Sequence, residues 1–498
     1  MKKIFLLLPA IALLVSCSKQ LDQVPLSSAT TATFYTQPND FLQASNAIYN
    51  DLKAYPDRQL NLSETRSDNL YAVSDGGVRD WEGINSFQKT IASNVYISEA
   101  WNANFSGIAK ANALLAQLQK NGAVITSAPL KLRLEAEAKF LRAFYYFDLV
   151  RWFGKVPLAD HPLSADEALT IPRSSVANVY ALILSDLQFA GTNLPEVHAV
   201  ADKGRATKYA AKAIEALVHM TRSGPTYGIE GPGLAVNEWT VAAGLLNEVI
   251  ASNKYAFSSS YSNIFSYTNE NNPEVIFDVQ YATGLSPVVG STFPWVLIPD
   301  AWFLSVGKVV QGGLTIRPVA VDLLNAYNAL DVRKAFTIQA GYTNAGVTET
   351  RSFFKKYVDL TKVPANRVDW PINFIVTRYT DILMLKAECI LNGAAGGSQA
   401  DVDGIVTSVR NRAGIPGIST SITLSQLLAE RRKEFAAEGS RWHDLVRSGT
   451  IETVMPAWIA AEDVMKQMLP FQKNYIIYPI PQAELDAKPG LYTQNAGY

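Results

Sequence analysis

The feature that most constrains this chain is a run of apolar residues at helical spacing, RLEAEAKFLRAFYYFDLVRWFG, between residues 133 and 154. The positions that follow i, i+3, i+4, i+7 and i+10 are Phe140, Ala143, Phe144, Phe147 and Val150. Gly154 ends the run, and Pro157 prevents its continuation. A period near 3.6 residues predicts a helix whose apolar face packs on another element.

Two further segments repeat this pattern. ATKYAAKAIEALVHMTRSG ends at Gly224, and TRYTDILMLKAECILNG ends at Gly393. Each of the three helices has a helical companion nearby in the sequence, which predicts stacked helix pairs of the tetratricopeptide-like kind. A generic helical bundle is the alternative. The expected fold class is therefore mainly α, with helix pairs packed against an irregular, loop-rich region that has few short strands.

The segment from about 256 to 320 differs from the rest of the chain. It is rich in Ser, Asn, Gly, Pro and aromatic residues, and only EVIFDVQY resembles a strand. Long irregular inserts in helical proteins are usually disordered or functional, and the aromatic residues here argue against disorder. We expect helical repeats at about 90–255 and 370–450, with a ligand-side insert at about 256–320 between them.

The N-terminus, MKKIFLLLPAIALLVSCSK, has a basic start and an apolar run too short to span a bilayer. Its end resembles a bacterial lipobox, which predicts cleavage after Ser16 and lipidation of Cys17. An ordinary secretory signal with an incidental cysteine is the alternative. The expected organisation is a signal peptide over 1–16, a lipidated N-terminus and tether over 17–35, and a single domain over 36–498.

Charge and cysteine content narrow the possible functions. With 44 basic and 45 acidic residues, the chain lacks the basic excess typical of nucleic-acid binding. The second cysteine, Cys389, lies in an apolar helical segment and is expected in the core. Once Cys17 is lipidated, no intramolecular disulfide is possible. No later segment offers 18 uninterrupted apolar residues, so the body is expected to be soluble and tethered.

Motifs for catalysis are missing from the sequence. Its four histidines form no zinc-ligand spacing, and it contains no HExxH, GxGxxG, P-loop or GxSxG motif. Asp401 and Asp403 lack the following ligands of a calcium loop. We therefore expect no catalytic residues, no metal ligands and no cofactor. A surface hydrolase is the weaker hypothesis.

The stretch LLAERRKEFAAEGSRWHDLVRSG, residues 427–449, concentrates charge on a helix that also has an apolar side. Arg431 with Glu434, and Glu438 with Arg441, are opposite charges at i, i+3. Trp442 is expected in the core. This pattern predicts a structural ion network rather than a catalytic site.

The same stretch resembles the C-terminal signature of the SusD/RagB family, surface lipoproteins of Bacteroidota nutrient uptake. The resemblance covers nearly the whole chain. Its other motifs are the lipobox, WNANFSGIAKAN, EAKFLRAFYYFDLVRWFGKVPL, NPEVIF, DVRKAF, RYTDILMLKAECILNG, VRNRAGIP and YPIPQAELDAKPGLYTQNAGY. In the last of these, Lys488 stands where the family usually has an asparagine.

The resemblance implies a helical fold with tetratricopeptide-like units, anchored by lipid on the outer face of the outer membrane. It implies that the protein captures an oligo- or polysaccharide and delivers it to a TonB-dependent transporter of the SusC type. The alternatives are oligopeptide capture, as in RagB-type members, and a scaffold that binds only protein.

Sugar recognition needs aromatic faces together with amides or charges for the hydroxyl groups. Two regions offer such residues on expected loops, and the resemblance implies that the family's glycan sites draw on these regions. The first region supplies Arg66, Asp68, Asn69, Tyr71, Arg79 and Trp81. The second supplies Tyr281, Phe293, Trp295 and Trp302. Trp81 and Trp295 are the leading candidates for ligand contact.

Overall fold

The computed structural model describes residues 34–72, 79–308, 312 and 314–498. The predicted signal peptide and Cys17 lie outside these ranges. The α-helices that begin before residue 255 are α1 (Pro38–Asn50), α2 (Tyr55–Arg58), α3 (Asp80–Asn85), α4 (Val95–Lys120), α5 (Ala128–Phe153), α6 (Ala165–Ala168), α7 (Val176–Asn193), α8 (Lys208–Ser223) and α9 (Trp239–Ala251). The later ones are α10 (Tyr261–Ile264), α11 (Phe293–Val296), α12 (Asp300–Ser305), α13 (Val321–Ala326), α14 (Val332–Thr337), α15 (Tyr379–Leu391), α16 (Gln399–Arg412), α17 (Leu424–Glu434), α18 (Arg441–Arg447), α19 (Ile451–Glu462) and α20 (Gln482–Ala487).

The strands are few and short. They are β1 (Val156–Pro157), β2 (Arg173–Ser174), β3 (Val275–Val279), β4 (Ile338–Asn344), β5 (Val347–Phe354) and β6 (Phe374–Arg378). Each strand pairs antiparallel with one other: β1 with β2, β3 with β6 and β4 with β5. Gln59–Glu64 forms a π-helical segment, and short 3-10 turns cover Asp51–Ala54, Gly122–Val124, Val200–Asp202 and Lys473–Ile476.

The long helices form one continuous row. α4 packs on α5, α5 on α7, α7 on α8, and α8 on α9. The row continues because α9 packs on α15 and α15 on α16, so the two helical regions of the sequence meet directly. The expected mainly α fold with stacked helices and few strands is confirmed.

Helix α5 differs from the expectation of a single apolar face. Every residue from Phe140 to Phe153 is buried, on all sides of the helix. The polar residues among them are tolerated because they are paired. The Arg142 guanidinium donates two hydrogen bonds to Asp186, at 2.8 and 2.9 Å, and Asp148 accepts one from Arg58 at 3.3 Å. α5 is therefore the central helix of the molecule rather than an amphipathic surface helix.

The insert is more regular than expected. The predicted strand in EVIFDVQY is present as β3, and the insert also contains the short helices α10, α11 and α12. Proline at the first helical turn of α11 and the Ser260 cap of α10, which accepts from the Asn263 amide, explain how such short helices begin.

The charged stretch 427–449 forms an ion network, as predicted, but with different partners. Glu434 accepts hydrogen bonds from Arg333, Arg378 and Arg412, at 3.0, 2.8 and 2.6 Å. Glu430 bonds Arg333 and Arg410. The predicted i, i+3 pairs are replaced because these buried side chains point away from their own helix and meet partners on neighbouring elements.

The same stretch also forms hydrogen bonds and ion pairs with the N-terminal part of the chain. Arg441 donates two hydrogen bonds of 2.8 Å to Asp68, and Arg431 pairs with Asp381 and Asp444. Glu64 accepts from the backbone amides of Ala437 and Gly439, both at 3.0 Å. Residues 58–69 and 430–445 are thus joined through buried charges. Trp442 and Cys389 are buried in the core as expected.

Candidate functional site

The two regions predicted to supply ligand contacts meet on one side of the molecule. α3, from the first region, and α11, from the second, both pack against the π-helical segment Gln59–Glu64. The segment 366–370 is attached to the second region, because the backbones of Ser291 and Trp370 exchange hydrogen bonds at 2.9 and 3.1 Å. We call the surface built from 79–99, 281–305 and 366–370 the loop face.

The loop face contains a wide polar cleft of about 640 Å³. It is lined by Arg79, Asp80, Glu82, Gly83, Ser86, Gln88, Thr90, Ile91, Ser93, Asn94 and Gln467. The first turn of α3 and the turn that leads into α4 both line the cleft. Amides, hydroxyls and charges of this kind can exchange hydrogen bonds with a polyhydroxylated ligand, and the volume lies within the range of ligand pockets.

Asn94 ties these two segments together. Its side-chain oxygen caps α4 by accepting from the Tyr96 amide at 3.0 Å, and its amide donates to the Asp80 carbonyl at 2.8 Å. The backbone that borders the cleft is therefore held in place by these two hydrogen bonds.

Trp81 does not present a free ring. It is 5% exposed, and the Arg317 guanidinium lies 4.2 Å from its ring centroid. Arg317 is itself fixed by hydrogen bonds to Asn61 and Thr65. The prediction of Trp81 as a sugar platform is therefore revised, because a cation already occupies the ring face. Arg79 is exposed at the cleft and remains a candidate contact.

Trp295 is covered in the same way. It is 8% exposed, its ring lies 4.2 Å from the Arg367 guanidinium, and its indole nitrogen donates to Asp300 at 3.2 Å. Trp302 and Phe293 are buried in aromatic clusters, with Phe353 and Phe374 among their respective neighbours. These three side chains hold the insert together, so we no longer place them among the ligand contacts.

The remaining predicted contacts in the second region and at the edge of the first are half-buried tyrosines. Tyr281 donates to the Lys53 carbonyl at 2.7 Å, and Tyr71 donates to Asp463 at 2.7 Å. Both hydroxyls are engaged within the protein. Throughout the described ranges, every Trp, Tyr and Phe side chain is buried or half-buried.

Arg66, Asp68 and Asn69 lie inside the protein. The Arg66 guanidinium sits among the rings of Phe87, Trp442 and Tyr478, 5.0, 5.4 and 4.3 Å from their centroids. Asn69 donates to Glu64 at 2.8 Å, and Asp68 pairs with Arg441 as described above. These residues are interior parts of the fold, which leaves Arg79 as the one predicted residue that lines the cleft.

Asp57, Tyr96 and Glu99 form a group of two acidic residues and a tyrosine that the sequence did not reveal. Asp57 of α2 accepts a hydrogen bond from Thr292, which links α2 to the insert. The pKa of Asp57 is raised to about 6, mainly by burial and also by the nearby charge of Glu99, against a lowering by the hydrogen bond from Thr292. Tyr96 and Glu99, both on the first turns of α4, complete the group. No sequence motif marks it, because its members come from three separate segments.

Two family models match the chain. The SusD family model matches residues 333–498, and a model described as "Starch-binding associating with outer membrane" matches residues 21–220. A SusD-like protein of Bacteroides ovatus is 28% identical over 477 residues, which cover 90% of this chain and 82% of the relative.

Solved structures share the fold. A laminarin-binding SusD-like protein superposes with a TM-score of 0.76 at 25% identity, covering 93% of this chain and all of that one. Surface glycan-binding protein A from Bacteroides thetaiotaomicron, in complex with laminarihexaose, gives 0.77 at 23% identity with the same coverage. The stacked helices with a loop-rich face define a SusD-like architecture. The chain belongs to the SusD/RagB family.

In the described part of the chain, no helix combines the length and apolarity needed to cross a bilayer.

Proposed function

We propose that this protein is a cell-surface lipoprotein that captures an oligo- or polysaccharide and delivers it to a SusC-type TonB-dependent transporter in the outer membrane. The observation that carries the proposal is the polar cleft of about 640 Å³ on the loop face of a SusD-family chain. The names of the relatives support a glycan as the ligand, since two of the solved structures above bind laminarin or laminarihexaose.

The contacts that we propose follow from what the cleft exposes. Arg79 and Asp80 stand at the N-terminal end of α3, and Gln88 is an exposed residue that also lines the cleft. Charged and amide groups of this kind can each bind two neighbouring hydroxyls of a sugar ring. The half-buried ring of Tyr96, two residues after Asn94, is the aromatic surface that we propose for the apolar side of a pyranose.

Anchoring completes the proposed role. Acyl chains on Cys17 would hold the protein at the outer leaflet of the outer membrane, and residues up to about 35 would act as a tether. The loop face would then receive the glycan, and the transporter would take it from there.

Calorimetry with Arg79→Ala and Gln88→Ala tests the site. Laminarihexaose, maltohexaose and a mixture of oligopeptides serve as probes, and Lys120→Ala, an exposed change on α4 away from the cleft, is the matched control. We expect each cleft variant to weaken oligosaccharide binding about five- to a hundredfold, because a hydrogen bond or charge contact is lost. Melting temperatures should stay within about 2 °C of the wild type, since both side chains are exposed.

Two results would change the proposal. Binding of peptides and of no saccharide would replace the ligand class by oligopeptides. Undiminished saccharide binding by both cleft variants would move the site away from the cleft.

A further inference from the structure

An apolar pocket of about 300 Å³ lies between α4, the loop of residues 157–171 and the C-terminal helix α20. Apart from Asn102, Glu484 and Lys488, the residues that line it are apolar or aromatic. It shares no lining residue with the polar cleft, whose walls are mostly charged, amide or hydroxyl groups. The cleft and this pocket, which we call the aromatic pocket, therefore suit chemically different parts of a ligand.

The loop that forms one wall of the aromatic pocket is tied at its base. The Asn112 side-chain amide, on α4, donates to the carbonyls of Ala159 and His161 at 3.0 and 3.2 Å. The pairing of β1 with β2 closes the two ends of the loop on each other. The wall is therefore set by the fold before any ligand arrives.

Aromatic and aliphatic surface is accessible in this pocket. The rings of Trp101 and Phe105 lie 4.8 Å apart between centroids, and that of Tyr492 lies 6.5 Å from Trp101. Trp101 is buried, whereas Phe105 and Tyr492 are half-buried and keep part of their ring surface open. Leu169, which also lines the pocket, is 39% exposed. A flat aromatic group packs well against such neighbours.

Glu484 is the acceptor among the polar residues of the pocket. Its side chain is half-buried, and burial raises its pKa, while a hydrogen bond from the Trp101 indole opposes that rise. No cation among the described residues forms an ion pair with it. A carboxylate can accept several hydrogen bonds, so Glu484 can take an O–H from a ligand. A bare sugar would leave most of its hydroxyls unmatched against the apolar walls, whereas a phenol brings a single donor.

The aromatic pocket is a neighbour of the polar cleft along α4. Asn94 of the cleft and Trp101 and Phe105 of the pocket follow i, i+7 and i+11, so they lie on one face of the helix. Trp101 is about 10 Å along the axis from Asn94. α20 spans the same interval: its Gln482 amide donates to the Ala92 carbonyl at 2.9 Å, and its last residue lines the pocket.

We propose that the aromatic pocket binds a phenolic acyl group, of the hydroxycinnamoyl kind, that is esterified to the saccharide in the cleft. The ring packs against Phe105 and Tyr492, and the phenolic O–H donates to the Glu484 carboxylate. This inference rests on the proposed function, because the saccharide is held in the cleft. It narrows the ligand to saccharides that carry phenolic esters.

Calorimetry with methyl 4-hydroxycinnamate and methyl cinnamate tests the pocket, since the two esters differ only in the phenolic hydroxyl. We expect the hydroxylated ester to bind about ten- to a hundredfold more tightly, the range for one hydrogen bond to a charged group. Glu484→Leu should lose this preference and bind the two esters with similar affinity.

A second variant tests the apolar wall without relying on Glu484. Leu169→Asp should weaken the binding of both esters about tenfold or more, because it places a charge beside an apolar ligand. Leu132→Asp is the matched control: Leu132 is 41% exposed, lies on α5 and does not line the pocket. Both leucines are exposed, so both variants should keep the melting temperature within about 2 °C of the wild type.

The link to the saccharide has its own test. A hydroxycinnamoylated arabinoxylo-oligosaccharide is compared with the same oligosaccharide after alkaline removal of the ester, and with the methyl ester alone. We expect the intact compound to bind at least about tenfold more tightly than either part, because one molecule then occupies cleft and pocket together.

Each contrary outcome points to a different error. If laminarihexaose or maltohexaose binds and neither methyl ester does, the pocket proposal is wrong and the proposed function stands. Equal losses in Leu169→Asp and Leu132→Asp would place the esters elsewhere and overturn it too. An intact oligosaccharide that binds no more tightly than the methyl ester would overturn the link to the saccharide. Binding of the methyl esters with no saccharide bound in any form would overturn the proposed function itself.

Discussion

The hydrogen-bonding partners of Glu434 come from distant parts of the chain. Burial by itself would raise its pKa, but Arg412, Arg378 and Arg333 outweigh that effect and hold the pKa well below its usual range. Each of these arginines lies on a different element: α16, β6 and α14. The carboxylate therefore joins three elements at a point where no water can replace it.

Replacing this carboxylate tests its structural role. We expect Glu434→Gln to lower the free energy of unfolding by about 3–5 kcal/mol, because three buried guanidinium groups lose their shared counter-charge. Urea denaturation at pH 7 measures the change. Glu135→Gln, which removes a half-buried partner of Lys139 at the protein surface, is the control and should cost less than about 1 kcal/mol. A loss as small as the control's would mean that the arginines are satisfied without Glu434.

At this scale the sequence predicted the kind of interaction but not the partners. The charge density of residues 427–449 indicated a network, yet the local pair Arg431–Glu434 does not form. Helical spacing identifies only the neighbours of a residue on its own helix. The partners of a buried charge are set by the tertiary fold and can lie on any element. The tryptophans were misjudged for a similar reason, since nothing local to Trp81 reveals that Arg317 covers it.

The contact between α4 and α5 depends on one glycine. A side-chain carbon on Gly107 would lie 2.2 Å from the Tyr145 ring. That ring cannot move away, because Tyr145 is fully buried and its hydroxyl donates to the Ile48 carbonyl at 2.7 Å. The two longest helices thus approach each other at a distance that only glycine permits.

Two glycine-to-alanine changes test this contact. Gly107→Ala should destabilise the protein by about 1–3 kcal/mol through overpacking, although alanine is the better helix former. Gly244→Ala in α9 is the matched control: its side chain would meet nothing within 4 Å, and it should stabilise by about 0.5–1 kcal/mol. Thermal melts of both variants provide the comparison. A stabilising Gly107→Ala would show that α4 and α5 can shift apart freely.

Helices were easier to predict than strands because long periodic patterns are locally encoded. The ends of α5 and α8 agree with the glycines at 154 and 224. The hairpin β4–β5 was not predicted, although IQAGYTNAGVTETRSFF contains a turn at its centre. Its turn residues are Ala345 and Gly346, with φ of +49° and +82°. Alanine rarely adopts such an angle, so the turn lacked the usual Asn-Gly signal.

For the molecule as a whole, the buried carboxylates predict how stability depends on pH. Burial alone would raise the pKa of Asp68, but Arg432 and Arg441 reverse this and lower it to about 2. A group whose pKa is lowered on folding stabilises the protein above its unfolded value near 3.9 and loses that effect as the pH falls towards 2. The pKa values of Asp57 and Asp278 are raised on folding. These two groups therefore lower the stability of the protein as the pH rises from about 4 to 7.

We therefore expect maximal stability at about pH 4–5, with a loss of stability below pH 4 and a decline towards pH 7. Urea midpoints measured from pH 2 to 8 give the curve. Asp68→Asn should be less stable at pH 7 and should have a shallower acid limb. An acid limb of unchanged slope in this variant would remove Asp68 from the explanation.

Anchoring is also a property of the whole molecule. We expect Cys17→Ala to release the protein from membranes, because acyl chains on that cysteine are the proposed anchor. Fractionation of cells that lack the transporter, together with labelling by a fatty acid, measures this. A variant that remains in the membrane fraction, or a wild type that incorporates no label, would contradict the lipoprotein proposal.

The bonds between residues 58–69 and 430–445 affect the time at which this protein can fold. Asp68 meets Arg441 across 373 positions, and Glu64 meets the backbone of Ala437 across the same distance. A ribosome that has made 400 residues has therefore produced two carboxylates whose partners do not yet exist, and burying them at that stage is unfavourable. We therefore expect a nascent chain of this design to complete its fold late in synthesis, which would suit the export across a membrane that the proposed function requires.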